Sequence, residues 1–217
     1  MCVWAIIPVK PLGQAKSRLS QILTPEQRAS FAEVMLRQVL SVVSESHTVV
    51  GTLVVSRDTH VLAIAREYGA KTVQESGTPE LNAALARATS VVKSWSCTSV
   101  LILPADLPFV TVEDIENMIK LGPFAPAVVI APDRDRDGTN GLFIRPPGLI
   151  EYAYGPGSFQ RHVALAKEAG AIVREYQSEH MQFDVDLPEH LIEYNQRIKQ
   201  ADAEAHKLLA SDTSFGD

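Results

Sequence analysis

The sequence has few cysteines and lacks any segment of the kind that directs a protein out of the cytoplasm. Cys2 and Cys97 are the only cysteines among its 217 residues, too few for a disulfide framework and without a paired metal-ligand spacing. The first residues form no basic leader with a cleavage-like site, and no apolar run approaches the ~20 residues needed to cross a bilayer. We therefore expect a cytoplasmic protein without membrane contact.

The sequence also lacks an excess of positive charge. It contains 20 Lys and Arg against 26 Asp and Glu, a formal net charge of -6. This balance argues against non-specific nucleic-acid binding, because such binding requires clustered cations. Neither the glycine-rich P-loop motif nor the dinucleotide-binding fingerprint is present, so another architecture would have to hold a nucleotide.

Apolar residues make up 46% of the sequence and charged residues 21%, enough apolar material for one substantial core. We expect a single domain over residues 1–200 and a polar, frayed tail over residues 201–217. Apolar runs typical of strands alternate with helix signals, including capping patterns at Thr24 and Thr111. The predicted strands include residues 3–9, 49–55, 72–74, 99–103 and 127–131. The alternation predicts an α/β fold of three layers, with a mostly parallel central sheet and helices on both faces.

Ligands of such sheets bind beyond the carboxyl ends of the strands, so the segments that follow strands are the ones to read for chemistry. The first strand is followed by Lys10, Gly13, Lys16 and Arg18. Three cations beside a glycine suit a polyphosphate, because the cations offset its charge and glycine lets the backbone approach it. The alternative is a solvated basic turn.

Asp106 follows another apolar strand, between Pro104 and Pro108. A carboxylate that emerges from a buried strand is costly unless it is compensated, and Mg²⁺ typically takes one or two carboxylates together with phosphate oxygens. Asp106 is therefore a candidate metal ligand. The alternative is an aspartate that accepts hydrogen bonds from local backbone amides in a turn.

Asp184 and Asp186 lie between a predicted strand and the final helix, which begins near Pro188. We expect the two side chains to point to opposite faces of the extended segment, so that at most one meets a cation at Asp106. The other aspartate then has a role in capping the final helix.

Two further segments could grip an anion. The charged stretch from Asp133 to Asp137 indicates an exposed, mobile loop, but Gly138-Thr139-Asn140 places short polar side chains just before a strand. A calcium-binding loop is excluded here, since the distal glutamate that such a loop requires is absent. The turn at Gly155-Pro156-Gly157 opens onto a helix beginning near Ser158, which would present free amides to an anion. A structural turn with an N-cap serine is the alternative. A lone histidine such as His162 is more often a packing or hydrogen-bonding residue than a catalyst.

Jointly, these segments resemble the 2-phospho-L-lactate and phosphoenolpyruvate guanylyltransferases of deazaflavin coenzyme biosynthesis, which are related to the molybdenum cofactor guanylyltransferases. The resemblance spans residues 3 to 195. Its motifs are Ile7-Pro8-Val9-Lys10-Pro11-Leu12, Ala15-Lys16-Ser17-Arg18-Leu19, Leu103-Pro104-Ala105-Asp106-Leu107-Pro108, Gly138-Thr139-Asn140, Gly157-Ser158-Phe159 and Asp184-Val185-Asp186.

The resemblance implies a GT-A-like nucleotidyltransferase fold, with GTP and a small phosphorylated three-carbon acid as substrates and diphosphate as a product. Carried onto this sequence, it assigns the nucleotide to Lys10, Gly13, Lys16, Arg18 and Asn82. It assigns Mg²⁺ to Asp106 with Asp184 favoured over Asp186, and it assigns the acid to Thr139, Gly155 and Ser158. Lys16, Arg18 and Asp106 are the implied catalytic residues.

The sequence departs from the family pattern at Glu80, where members often have glycine. The family's contacts to the base and ribose of the nucleotide therefore do not transfer directly to this region. Phosphoenolpyruvate is favoured as the acid, then 2-phospho-L-lactate. A homodimer is one candidate assembly, and the oligomeric state is left open. The alternatives are a nucleotidyltransferase for a sugar phosphate or molybdopterin, a glycosyltransferase and a non-catalytic nucleotide sensor on the same fold.

Overall fold

The structure, a computed structural model, describes residues 1–76 and 80–212. Its centre is one sheet built from β1 (Val3–Val9), β2 (Val49–Ser56), β3 (Lys71–Gln74), β4 (Ser99–Ile102), β5 (Ala127–Pro132), β6 (Thr139–Arg145) and β7 (Ile172–Glu175). Within these residues the sheet has seven strands, in the order β3-β2-β1-β4-β6-β5-β7. The predicted strands are confirmed, with ends shifted by at most one residue.

Six α-helices are found within the described residues. They are α1 (Pro25–Glu45), α2 (Thr59–Glu67), α3 (Leu81–Ser94), α4 (Val112–Lys120), α5 (Ser158–Glu168) and α6 (Pro188–Asp212). One core contains buried residues of α1, α2 and α4, and a second contains buried residues of α3 and α5. Successive strand residues point to opposite faces, so Ile6 enters the second core and Ile7 the first. The three-layer α/β prediction is confirmed.

Strand β6 runs antiparallel to both of its neighbours, β4 and β5. Its first residues therefore lie at the same edge of the sheet as the last residues of β1 and β4. Thr139 and Asn140 begin this strand, where the sequence analysis had placed them just before it. The reversal puts these two polar residues at the edge where ligands of such sheets bind.

Local signals in the sequence account for several helix ends. Thr24 and Gln27 form the expected reciprocal capping box at the start of α1, and Thr111 and Asp114 form another at the start of α4. Gly69 ends α2 with a φ of +74°, the left-handed conformation that glycine adopts most easily. The two capping boxes therefore set where α1 and α4 begin, and Gly69 sets where α2 ends.

Two helix predictions need correction. In α1, the helical spacing of the apolar residues predicts a place for Val34 on the buried face, but Val34 is 52% exposed, and Leu36 and Leu40 are buried instead. The frayed tail expected from residue 201 is helical as far as Asp212, because its first residues are rich in the good helix formers alanine and glutamate. Residues 213–217 lie outside the described residues. No helix of the described chain is both long and apolar enough to traverse a lipid bilayer.

Candidate active site

An ammonium group lies between two carboxylates at the carboxyl edge of the sheet. Lys16 Nζ lies 2.9 Å from Asp106 Oδ2 and 3.1 Å from Asp186 Oδ1. The Lys16 side chain is only 5% exposed. The loop after β1, the loop after β4 and the segment before α6 therefore meet at one point, as the sequence analysis required of a common site.

The position of Lys16 depends on an unusual backbone conformation. Lys16 has φ 53° and ψ 38°, in the left-handed region that non-glycine residues seldom occupy. Arg28 of α1 donates a hydrogen bond from Nη1 to the Ala15 carbonyl at 3.2 Å, which holds the preceding residue in place. Backbone strain of this kind persists where surrounding contacts impose it, and it is common at functional sites.

The charges around Lys16 alter one another's pKa. Burial lowers the pKa of Lys16, but the attraction of Asp106 and Asp186 outweighs it, so the pKa is raised overall. Burial likewise opposes ionisation of Asp106, and Lys16 more than compensates, which lowers the Asp106 pKa. Lys16 and Asp106 are thus both ionised at neutral pH.

Asp184 is in the opposite situation. Burial, together with the negative charges of Asp106 and Asp186, raises the pKa of Asp184 to about 6. No Lys, Arg or His of the described residues forms an ion pair with it. Three carboxylates therefore share one buried ammonium, and the exposed Arg18, 3.5 Å from Asp186, adds a weaker contribution.

The expectation that Asp184 and Asp186 point to opposite faces is wrong. Residues two positions apart lie on the same side of an extended segment. The intervening Val185 points to the other side, where it packs with Phe183 in a separate buried cluster. Nor does Asp186 cap α6: its carboxylate contacts Lys16 and Arg18, while its backbone N–H donates to His190 Nδ1 at 3.3 Å.

The loop after β1 offers unpaired backbone donors beside these charges. No acceptor among residues 1–76 and 80–212 is paired with the N–H groups of Gly13, Lys16 or Ser17. Successive free amides next to a left-handed residue form the kind of concavity that binds anions. A Cβ atom built on Gly13 would meet nothing within 4 Å, so the space in front of this backbone is open. Lys10 and Arg18 are exposed at the same loop.

A cavity of about 190 Å³ opens beside the carboxylates, between the loop at 133–135 and the segment at 182–190. Arg18, Asp184, Asp186 and His190 contribute to its wall. Pockets that enclose a whole ligand of moderate size typically exceed ~300 Å³. This cavity can therefore enclose one part of a nucleotide or a small acid, and the remainder must lie in the open groove.

The residues at this site suit a divalent cation, although they are not arranged as a ready cage. Within the described ranges, no three His, Cys, Asp or Glu side chains are grouped closely enough to enclose a metal ion. The Lys16 ammonium lies between two of the carboxylates instead. The half-buried Asp184, which has no ion-pair partner in the part of the chain that the structure describes, is the feature that a hard cation with oxygen ligands would satisfy.

The residues proposed to hold the acid lie at the start of β6 and at α5. Thr139, at the start of β6, is 5% exposed, and Ser158, at the start of α5, is 2% exposed; their hydroxyl oxygens are 3.2 Å apart. Asn140 donates from Nδ2 to the Met181 carbonyl at 2.9 Å, which anchors the chain shortly before Asp184. The beginning of β6 thus links the carboxylates to α5.

The prediction of free amides at the start of α5 is wrong. Asp137 Oδ2 accepts a hydrogen bond from Gly157 N at 3.1 Å, and the Asp137 carbonyl accepts one from Phe159 N at 3.0 Å. Ser158 N donates to the Gly155 carbonyl. The charged loop from Asp133 to Asp137 supplies its own anion to this helix end, a contact that sequence spacing does not reveal.

Comparison with known proteins identifies the group to which the chain belongs. A family profile described as "Guanylyl transferase CofC like" matches residues 1–209. The phosphoenolpyruvate guanylyltransferase of Rubrobacter xylanophilus is 39% identical over 191 residues, which are 88% of this chain and 92% of that protein. This chain is a member of the CofC-like guanylyl transferase family.

A second relative bears a different substrate name. The 2-phospho-L-lactate guanylyltransferase of Methanothermobacter thermautotrophicus is 35% identical over 187 residues, 86% of this chain and 81% of that protein. Among solved structures, CMP:2-keto-3-deoxy-manno-octonic acid synthetase complexed with CTP matches with a TM-score of 0.63 at 13% identity. That match covers 93% of this chain and 100% of the other, and it bears on the fold alone.

Asn82, which the family resemblance assigns to the nucleotide, has another partner in this CofC-like chain. Its Oδ1 accepts a hydrogen bond from Tyr154 N at 2.8 Å, and its Nδ2 donates to the Tyr154 carbonyl at 3.3 Å. The side chain therefore clamps the backbone directly before Gly155. Glu80, the departure from the family pattern, caps α3 by accepting from the N–H groups of Asn82 and Ala83.

Sequence reasoning missed Arg28 and Asp58, and it singled out Asn140 only for gripping an anion. Arg28 supports the loop of Lys16, Asp58 accepts a hydrogen bond from Leu12 N at 3.0 Å, and Asn140 anchors the chain before Asp184. Each acts on a main-chain atom far away in sequence, so no local pattern indicates the contact. Asp58 gave a partial signal, since its position before Thr59 suits the N-cap of α2 that it forms.

Proposed function

We propose that this protein transfers GMP from GTP to the phosphate of a small phosphorylated three-carbon acid and releases diphosphate, in deazaflavin coenzyme biosynthesis. The observation that carries the proposal is the convergence of Lys16 with Asp106, Asp184 and Asp186 beside a loop of free backbone amides. Its family membership supports guanylyl transfer, and the names of the relatives support phosphoenolpyruvate or 2-phospho-L-lactate as the acid.

The triphosphate binds the loop after β1 in this proposal. The backbone N–H groups of Gly13, Lys16 and Ser17 donate to phosphate oxygens, and Lys10 and Arg18 contribute positive charge from exposed positions. Lys16 is already held by Asp106 and Asp186, so its ammonium is preorganised before the nucleotide arrives. A preorganised charge costs no rearrangement when negative charge develops in the reaction.

Mg²⁺ is the proposed metal, with Asp106 and Asp184 as its ligands and Asp186 beside them. When bound, it would supply positive charge that offsets the repulsion between two polyanions. Asp184 fits this role because it lacks an ion-pair partner among the described residues and because its pKa of about 6 leaves it mostly ionised at neutral pH.

The reaction needs no general base. A phosphate oxygen of the acceptor is already anionic, and it attacks the α-phosphorus of GTP. The bond from that phosphorus to the oxygen bridging to the β-phosphorus breaks, and diphosphate leaves with the electron pair. The protein's contribution is to align the attacking oxygen and to offset charge, with Thr139, Ser158 and the backbone at Gly155 holding the acid.

The alternatives predict different products. A glycosyltransferase would transfer a sugar and more often has a D-x-D motif after the central strand, whereas Pro104-Ala105-Asp106-Leu107-Pro108 contains only one aspartate. A nucleotidyltransferase for a sugar phosphate or molybdopterin would release diphosphate only with its own acceptor. A nucleotide sensor would bind GTP without turnover.

The product mass separates these possibilities. The protein is incubated with Mg²⁺, each nucleoside triphosphate and one of three acids: phosphoenolpyruvate, 2-phospho-L-lactate or 3-phosphoglycerate. We expect a product with the mass of GMP joined to one acid, formed together with diphosphate. The amount of product should be largest with phosphoenolpyruvate. Diphosphate release with none of the acids, or preference for a pyrimidine triphosphate, would overturn the proposal.

A further inference from the structure

A buried histidine is hydrogen-bonded through both ring nitrogens next to the proposed acid site. His162 has no exposed surface. Its Nδ1 lies 3.0 Å from Thr139 Oγ1, and its Nε2 lies 3.0 Å from the backbone nitrogen of Ala153. The ring of Tyr154 packs edge-on against it at 4.9 Å. The imidazole is therefore fixed in position and in rotation.

The contacts also fix which nitrogen carries the proton. A backbone N–H can only donate, so Nε2 must accept from Ala153 and cannot itself be protonated. Neutral imidazole has one N–H group, which must then be at Nδ1, where it donates to Thr139 Oγ1. Burial, with a smaller contribution from Arg161, lowers the pKa of His162 to about 4, which agrees with a neutral ring.

The same reasoning extends to the threonine hydroxyl. Thr139 Oγ1 accepts one hydrogen bond from His162 and a second from Ser158 Oγ at 3.2 Å. A hydroxyl oxygen has two acceptor sites and one proton. Both acceptor sites are occupied, so the Thr139 proton must point to another acceptor. No such acceptor is paired with it within residues 1–76 and 80–212.

The location of Thr139 indicates what that acceptor is. Thr139 begins β6 next to Asn140, which is tied to Met181 shortly before Asp184. Thr139 therefore lies at the edge of the sheet where β4 leads to Asp106, and its hydroxyl contacts Ser158 at the start of α5. A carboxylate or phosphate oxygen of an anionic substrate is the kind of group that would accept this hydrogen bond from the Thr139 hydroxyl.

We propose that His162 is a positioning residue that holds the Thr139 hydroxyl as a hydrogen-bond donor to the phosphorylated acid. The inference rests on the proposed function, since it assumes that the acid binds beside Thr139. His162 itself touches neither substrate and transfers no proton. Its effect reaches the acid only through Thr139, and this separates it from a histidine that merely stabilises the fold.

A double-mutant cycle tests this indirect action. Diphosphate release is measured with GTP and phosphoenolpyruvate, and again with 2-phospho-L-lactate, for the wild type, His162→Phe, Thr139→Val and the double variant. We expect the KM for the acid to rise about tenfold in each single variant, the equivalent of about one hydrogen bond to a charged group, with the KM for GTP unchanged. The double variant should be no worse than Thr139→Val alone, because both changes remove the same contact.

Tyr152→Phe is the matched control. Tyr152 OH and Thr89 Oγ1 form another hydrogen bond, 2.5 Å long and partly buried, which involves neither Thr139 nor His162. This variant should lose a similar amount of stability and keep the wild-type KM for the acid. Thr139→Ser retains the hydroxyl, so its KM for the acid should rise less than that of Thr139→Val.

Several outcomes would overturn the inference while leaving the proposed function intact. They are an unchanged KM for the acid in active His162→Phe, an equal rise in the KM for GTP, or effects that multiply in the double variant. If His162→Phe does not fold, the imidazole ¹⁵N spectrum of the wild type still decides, because a proton on Nε2 would contradict the proposed arrangement. Inactivity of the folded wild type with both acids would overturn the proposed function itself, and the inference with it.

Discussion

Lys16 Nζ and Asp106 Oδ2, 2.9 Å apart, join the loop that follows β1 to the loop that follows β4. The lysine is almost fully buried, and the aspartate side chain is one-third exposed, at 33%. The pair therefore presents the carboxylate to the open edge of the sheet and keeps the ammonium behind it. A carboxylate in that position can still bind a second cation from solution, which is the property that the proposed function requires.

Removing the charge of Asp106 should strongly reduce turnover. Asp106→Asn keeps the size of the side chain but weakens both the contact with Lys16 and the proposed metal site. We expect kcat with GTP to fall by about 10²-fold or more, the scale of losing one preorganised electrostatic contact. Steady-state diphosphate release measures the effect, and Glu113→Gln on the exposed face of α4 is the control. Near-normal kcat of Asp106→Asn at millimolar Mg²⁺ would remove the metal role.

Gly13 offers a test that separates ligand contact from folding. A Cβ at this position would enter open space, and the residue lacks the left-handed φ of Gly155 and Gly157. Gly13→Ala should therefore leave Tm unchanged while raising the KM for GTP by about tenfold, if phosphate oxygens pack against this backbone. An unchanged KM for GTP would place the triphosphate elsewhere. Gly170→Ala, where the left-handed φ is +68°, should show the reverse pattern, with lower Tm and unchanged KM.

The sequence allowed the layers of the fold and most of the candidate site to be predicted. Features with local sequence signals could be placed, whereas features that depend on long-range contacts could not. Strand runs and the capping boxes at Thr24 and Thr111 are local signals, so the elements could be placed with small errors at their ends. The direction of β6 and its place between β4 and β5 depend on long-range pairing, and no local pattern encodes them.

The details of the site show the same division. Lys16 and Asp106 were expected at one edge because each follows a strand, and at most one of Asp184 and Asp186 was expected beside them. The structure brings both of these aspartates to that edge. The occupation of the α5 amides by Asp137 and the clamp of Asn82 on Tyr154 were missed. Both are contacts between a side chain and a distant backbone, and they depend on how loops fold over the sheet rather than on spacing along the chain.

Ionised Asp184 should lower the free energy of unfolding, although the proposed function requires this carboxylate. Its pKa is raised from 3.8 to about 6, so the folded state binds more protons than the unfolded state between these values. The contribution of Asp184 to the unfolding free energy of the wild type should therefore become more favourable as pH falls from above 6 towards 4. Asp184→Asn removes the penalty and should add about 1 kcal/mol to the unfolding free energy at pH 8 in EDTA.

Calorimetry at pH 8 and at pH 4.5, in EDTA, measures this difference. The advantage of Asp184→Asn over the wild type should shrink at the lower pH, where the wild-type carboxyl is protonated. The exposed Glu151→Gln should show no such advantage at either pH. A variant less stable than the wild type at pH 8 would contradict the crowding of charge described for this site.

Asn82 should act mainly through the backbone of Tyr154. Asn82→Ala removes both hydrogen bonds to that residue, and we expect the unfolding free energy to fall by about 1–2 kcal/mol. Because Gly155 follows directly, the KM for the acid should rise more than the KM for GTP. Denaturant unfolding and steady-state kinetics measure the two effects. A rise in the KM for GTP alone would instead support a direct contact with the nucleotide.

The most direct test is the position of a metal ion in a crystal of the protein grown with Mn²⁺ and a non-hydrolysable GTP analogue. Anomalous scattering locates Mn²⁺ independently of any assumption about its ligands. The proposed site predicts a peak bound by oxygens of Asp106 and Asp184, with the triphosphate against the loop from Gly13 to Arg18. A peak remote from these carboxylates, or nucleotide bound with no metal beside Asp106, would contradict it.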